Sequence, residues 1–107
     1  YTVDFSKSML NVIKSGLFGL YNQVCKGNCS RFDVANAFVK FLNVQDKVKI
    51  TKVKSDYFKN EYFSPRPNSE RLINLKLRQK NMDIMRDWHD CLKEYSDVFK
   101  KDLNEKI

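Results

Sequence analysis

Proline, glycine and histidine are scarce in this chain, with two prolines, three glycines and one histidine among 107 residues. The glycines never form the Gly-x-Gly-x-x-Gly or phosphate-loop pattern that cradles a dinucleotide or a triphosphate, so no cofactor is expected to bind this stretch through such a motif. The lone His89 sits next to Trp88 inside a helical pattern, where a surface or packing role outweighs that of a catalytic base. No serine, cysteine or aspartate has a recognisable base partner, so no catalytic residue is expected. Long apolar runs are missing too, and none approaches the roughly 20 residues that span a bilayer. No basic leader with an apolar core opens the chain. Its first residue is Tyr1, and the sequence reads as a piece cut from a longer protein.

Cysteine is present in an odd number: Cys25, Cys29 and Cys91. An odd count in a short chain argues against a disulfide framework and fits a reducing cytoplasm. A closed zinc site usually wants four ligands, and only Cys91 and His89 remain to join Cys25 and Cys29. Buried or half-buried free thiols are therefore expected, and no metal.

What is present describes one globular domain over residues 1–107 with a modest core: 42% hydrophobic and 13% aromatic residues. The net charge is +7 and the pI about 9.4. Such an excess attracts nucleic acid, acidic membranes or phosphorylated small molecules. The lysines are spread, however, with small groups at 47–54 and 100–101 and no run of five or six, so a solvated surface is the expectation.

Along the chain, Asp4 is a good helix N-cap, and Phe5, Met9, Leu10, Val12 and Ile13 follow at helical spacing up to Gly16. A helix over 4–15 with this stripe in the core is expected. Residues 17–24 read as a short strand. Ser30 with Asp33 forms a capping-box pattern ahead of a helix over 30–43, whose apolar face holds Phe32, Ala35, Phe38, Val39 and Leu42. Residues 47–54 alternate lysine with Val48 and Ile50, as a strand with one wet face does, and a bulge or end is expected at Val53. Residues 55–63 suit a helical turn and loop, residues 72–77 fit a strand or a helical turn, and 79–83 are turn-like. Trp88, Cys91, Leu92, Tyr95 and Phe99 define a last helix over 84–101, with 101–107 a frayed tail. Helix, strand, helix, strand, loop, helix amounts to a small α+β lobe.

Both prolines lie in Ser64-Pro65-Arg66-Pro67-Asn68-Ser69. Proline fixes its own φ and drives the residue before it toward extended backbone, so Arg66 stands on a stiff mount with small polar groups after it. Such an arginine suits a carboxylate or a diphosphate. A plain loop with a solvated arginine is the competing reading.

Several stretches together resemble the C-terminal part of the dTDP-4-dehydrorhamnose reductase family. They are Gly19-Leu20-Tyr21-Asn22, Gly27-x-Cys29-Ser30-Arg31-Phe32-Asp33, Arg66-Pro67-Asn68-Ser69-x-x-Leu72, Lys76-Leu77 and Met85-Arg86-Asp87-Trp88 with Leu92. The resemblance covers about residues 1–99. The family consists of sugar-nucleotide enzymes of the extended short-chain dehydrogenase type. The resemblance implies a small C-terminal lobe, with a Rossmann domain elsewhere in the parent that binds NAD(P)H and carries a Tyr-x-x-x-Lys catalytic pair. No tyrosine in this chain has a lysine four residues later. It also implies a nucleotide-diphosphate sugar as partner, a role in deoxysugar and cell-surface polysaccharide biosynthesis, and a cytoplasmic location. Arg66, Ser69 and Lys76 match the motif and are the implied substrate-binding residues, with Arg66 on the diphosphate. On residue chemistry alone Ser69 is a cap or turn, Lys76 a solvated or salt-bridged side chain and Arg31 a helix-terminal residue. The family often has proline just ahead of the last helix's tryptophan, where this chain has Arg86-Asp87.

Two other functions compete: a basic nucleic-acid-binding module using Tyr57, Phe58, Tyr62 and Phe63, and an oligomerisation domain, with the parent a monomer or a homodimer. Under the family resemblance neither nucleic acid nor membrane is a partner.

Overall fold

The computed structural model describes residues 1–61, 64, 65 and 67–105. Four helices run through them: α1 Thr2–Ser15, α2 Arg31–Phe41, α3 Leu75–Gln79 and α4 Trp88–Glu105. Gly16 ends α1 at φ 66°, in the left-handed region where a side chain is penalised, and its amide bonds the Ile13 carbonyl. Ser30 caps α2 reciprocally: the Asp33 amide donates to Ser30 Oγ at 3.1 Å, and the Ser30 amide to Asp33 Oδ2 at 2.8 Å. Asp33 is held below the usual carboxylate range by its hydrogen bonds from the Ser30 side chain and backbone.

The expected α+β lobe is not what forms. Among the described residues there is no strand, and one isolated parallel bridge joins Lys26 to Asp87. Residues 17–24 are irregular, and at Val24 the polar backbone is met from a side chain. The Val24 amide donates to Asn74 Oδ1 at 2.9 Å, and Asn74 Nδ2 donates to the Val24 carbonyl at 2.8 Å. One amide side chain thus does for Val24 what a neighbouring strand would do. Residues 48–54 keep their alternation but have no strand beside them. The Lys47 and Val48 amides turn back to the Val44 carbonyl, and Val48 and Val53 stay exposed. Alternation creates a two-faced ribbon only where a second strand is there to pair with it.

The last helix also starts later than periodicity suggests. Residues 84–87 are held out of it, since the Lys26 amide donates to the Arg86 carbonyl at 2.9 Å and the Trp88 amide donates to the Lys26 carbonyl at 3.0 Å. That bond fills one of the open donors at the start of α4. Helices α2 and α4 pack through rings: Phe38 lies 5.9 Å from Tyr95 and 5.5 Å from Phe99, and Phe41 meets His89 edge-on at 4.9 Å.

The stripe on α1 faces outward. Val3, Phe5, Met9, Leu10 and Ile13 are exposed, while Asp4 and Ser8 are buried. Among the described residues the fully buried apolar side chains are Leu77, Met85 and Cys91. The radius of gyration is 17.2 Å, against about 13 Å for a compact domain of this length. The stripe expected in the core therefore lies on the surface of an open assembly of helices.

Candidate functional site

The proline-framed Arg66, with Tyr62 and Phe63 ahead of it, lies outside the described residues. Ser69 is exposed in the coil that leads toward α3. Lys76 is exposed on α3, and its ammonium stands over the Tyr21 ring, 6.0 Å from the centroid. Arg31 is the exposed first residue of α2, and Cys29 just ahead of it is exposed as well.

Two non-local seams bring the quoted stretches together. In the first, Tyr21 and Asn22 run beside the residues leading into α3. Asn22 Nδ2 donates to the Ile73 carbonyl at 3.3 Å, Val24 is held by Asn74 on both sides, and Lys76 covers Tyr21. Asn74 is buried, and its amide also donates to Asp83 Oδ1 at 3.1 Å. Asp83 in turn accepts from the Met85 amide at 3.2 Å and pairs with Arg78 at 3.3 Å. In the second seam the Lys26-Gly27 turn lies against Arg86, Asp87 and Trp88. Gly27 has φ 85°, and a Cβ there would come within 2.6 Å of Asp87 Oδ2 and 2.8 Å of Trp88 Cδ1. Only glycine permits this approach.

A charged network joins α1 to the start of α4. Arg86 grips Asp4 with two hydrogen bonds of 2.9 Å and reaches Glu94 at 2.7 Å. The Tyr1 hydroxyl donates to Glu94 Oε1 at 2.8 Å, and Cys91 Sγ donates to Asp4 Oδ2 at 3.3 Å. The Arg86 guanidinium holds the Asp4 and Glu94 carboxyls below their ordinary values. The hydrogen bond to Glu94 raises the Tyr1 phenol. Burial first, and the Asp4 contact next, push the Cys91 thiol up to about 12. This network is an anchor: its arginine is already spent on two carboxylates and is not free for a ligand anion.

Asp4 was expected as the cap of α1. The helix instead begins at Thr2, and Asp4 faces inward to Arg86. Asn74 and the pairing of Asp4 with Arg86 are the positioning features that sequence reasoning did not single out, whereas Gly27 was already legible as a turn glycine with positive φ. Arg86 gave the one hint, standing where the resemblance leads one to look for proline.

Two open clefts flank α2. One, of about 580 Å³, is walled by Phe41, Trp88 and His89 with Asn36, Lys40 and Gln45 around them. The other, of about 500 Å³, runs along Val34, Phe38, Leu92 and Tyr95 with Ser30 and Arg31 at its end. The three cysteines are free, and among the described residues no group of three metal-ligating side chains converges. Ring surfaces, amides and cations line these clefts, and the Ser30 hydroxyl at the end of the second donates to Asp33 Oδ2 at 2.7 Å. No helix among the described residues is long and apolar enough to cross a membrane. Comparison with family models, with curated proteins and with solved structures finds no match for the chain.

Proposed function

We propose that this chain is the sugar-nucleotide-binding lobe of an NAD(P)H-dependent reductase of the dTDP-4-dehydrorhamnose reductase type. The single observation that carries the proposal is the pairing of separated stretches. Tyr21-Asn22 meets Ile73 to Lys76, and Lys26-Gly27 meets Arg86 to Trp88, across gaps of about fifty residues or more. Tyr21, Asn22, Gly27, Lys76 and Arg86 to Trp88 lie in the stretches that resemble that family, and Val24, Lys26, Ile73 and Asn74 adjoin those stretches. Joint contact among them supports one common origin for the pattern, since chance matches have no reason to touch.

In this reading a companion Rossmann domain binds NAD(P)H and performs hydride transfer to a keto-sugar, with its tyrosine as the acid. The present lobe binds the diphosphate through Arg66, orients the sugar and excludes water. Ser69 and Lys76 stand in the same motif as secondary polar contacts. The outward apolar stripe of α1 is what a lobe of this kind turns toward its companion domain, and the small buried core supports such an arrangement. The reaction belongs to deoxysugar and cell-surface polysaccharide biosynthesis in the cytoplasm, and the free thiols are compatible with that compartment.

The test is isothermal titration of dTDP and UDP sugars into the full-length protein and its Arg66→Ala variant. Binding that weakens at least tenfold in the variant is expected. Unchanged affinity in the variant refutes the diphosphate role of Arg66.

A further inference from the structure

We propose that Cys25 and Cys91 form a redox-sensitive thiol pair that closes to a disulfide when the protein meets a hydroperoxide. The two residues are distant in sequence, and the backbone brings them together in steps. Lys26, directly after Cys25, exchanges hydrogen bonds of 2.9 and 3.0 Å with Arg86 and Trp88. Cys91 lies one turn further along α4, with its amide on the Asp87 carbonyl at 3.2 Å. Both sulfurs then meet the first turn of α1. Cys25 Sγ is 3.8 Å from the Tyr1 backbone nitrogen, and Cys91 Sγ is 3.3 Å from Asp4 Oδ2. Cys25 is among the groups that raise the Cys91 thiol, by charge and by a side-chain hydrogen bond, whereas on Cys29 it acts by charge alone.

Their surroundings divide the roles. Cys25 is half-buried and reachable, while Cys91 is 2% exposed and its thiol is held protonated by burial. A peroxide must reach the sulfur it oxidises, so half-buried Cys25 is oxidised first and buried Cys91 resolves. In the first step Cys25 sulfur attacks the hydroperoxide oxygen. The O–O bond breaks, and Cys25 sulfenic acid and one alcohol or water form. In the second step Cys91 sulfur attacks the Cys25 sulfur and the S–OH bond breaks. The Cys91 proton passes by way of Asp4 Oδ2 to the departing hydroxide, giving water. Two electrons leave the two thiols and reduce one O–O bond, so the hydroperoxide is the only co-reactant. The bond ties the 20–26 segment to α4 and removes the S–H donor from Asp4. Exposed Cys29, four residues beyond Cys25, is the rival resolving thiol. It sits beyond the Gly27 turn, and no contact joins it to Asp4 or α1 among those described.

The experiment treats the purified protein with hydrogen peroxide, counts thiols after denaturation and maps the cross-linked peptides. The free thiols are expected to fall from three to one, with Cys25 and Cys91 in one peptide pair and reversal by dithiothreitol. The Cys29→Ser variant should keep that cross-link, and Cys91→Ser should lose it. Should Cys91→Ser fail to fold, the peptide maps of the wild type and of Cys29→Ser decide alone. Three surviving thiols, a Cys25–Cys29 bond, a bond between molecules, or Cys25 driven to sulfinic acid with Cys91 still free would each overturn the proposal.

Discussion

Replacing Asn74 by aspartate should harm the protein more than replacing it by alanine, although aspartate matches the native shape. Asn74 is 2% exposed and makes three hydrogen bonds to its surroundings, to the Val24 amide, the Val24 carbonyl and Asp83. A typical hydrogen bond contributes about 1 kcal/mol net, so Asn74→Ala should cost about 2–3 kcal/mol. In Asn74→Asp the acceptor toward the Val24 amide survives. The two donated bonds become oxygen facing oxygen, against the Val24 carbonyl and against the Asp83 carboxylate. A buried carboxylate beside a second one is disfavoured by desolvation and by like charge, adding about 1 kcal/mol or more to the loss. Both effects raise the pKa of the introduced carboxyl. Its protonation restores one donor, so Asn74→Asp should recover part of its stability as the pH falls, while the Asn74→Ala deficit should not. Urea unfolding followed by far-ultraviolet circular dichroism and Trp88 fluorescence, near neutral pH and near about pH 4, measures both effects. An aspartate variant as stable as wild type, or an alanine deficit well under 1 kcal/mol, would refute the role given to Asn74 as the clasp of the first seam.

Three further outcomes follow from the same geometry. Gly27→Ala should cost about 2–4 kcal/mol, through left-handed backbone strain together with the clash against Asp87 and Trp88, as a fall in urea midpoint. Asp4→Asn should lower the urea midpoint near neutral pH. Because Arg86 depresses the native Asp4 carboxyl, its contribution is present above the unfolded value of about 3.9 and is lost as pH falls through the folded value, so wild type and variant should converge in acid. Ile13→Lys, at a site 68% exposed, should leave the chain's own stability within about 0.5 kcal/mol while weakening association with a companion domain in sedimentation.

The parts legible in the sequence are those encoded within a few residues. Ser30 with Asp33 specifies the start of α2 because each side chain meets the other's backbone three positions away. Gly16 ends α1 for an equally local reason. What failed to show depends on residues that meet from afar. Lys47 to Lys54 has the alternation of a strand, but a strand is a property of two segments, and among the described residues none pairs with it. Asp4 has the chemistry of a cap, and a guanidinium 82 positions away claims it instead. Nothing in the periodicity of 84–87 reveals that Lys26 will hold those residues out of the helix. The α1 stripe gave the right helix and the wrong face, because spacing locates an apolar side without saying what covers it. At the candidate site, the quoted stretches, Gly27 among them, were visible as residue patterns, whereas the Asn74 clasp and the close approach of Gly27 to Asp87 and Trp88 become visible only in three dimensions.

The most direct test of the sugar-nucleotide proposal is a titration of the full-length protein with a dTDP-hexose, with dTDP and with the uncharged nucleoside thymidine, repeated with a single-stranded oligonucleotide at rising salt. Binding of the dTDP-hexose and of dTDP is expected, with at least tenfold weaker binding of thymidine, because in the proposed function the diphosphate is the group that Arg66 would grip. No binding of either diphosphate, or salt-dependent binding of the oligonucleotide alone, would contradict it and assign the positive charge to nucleic acid.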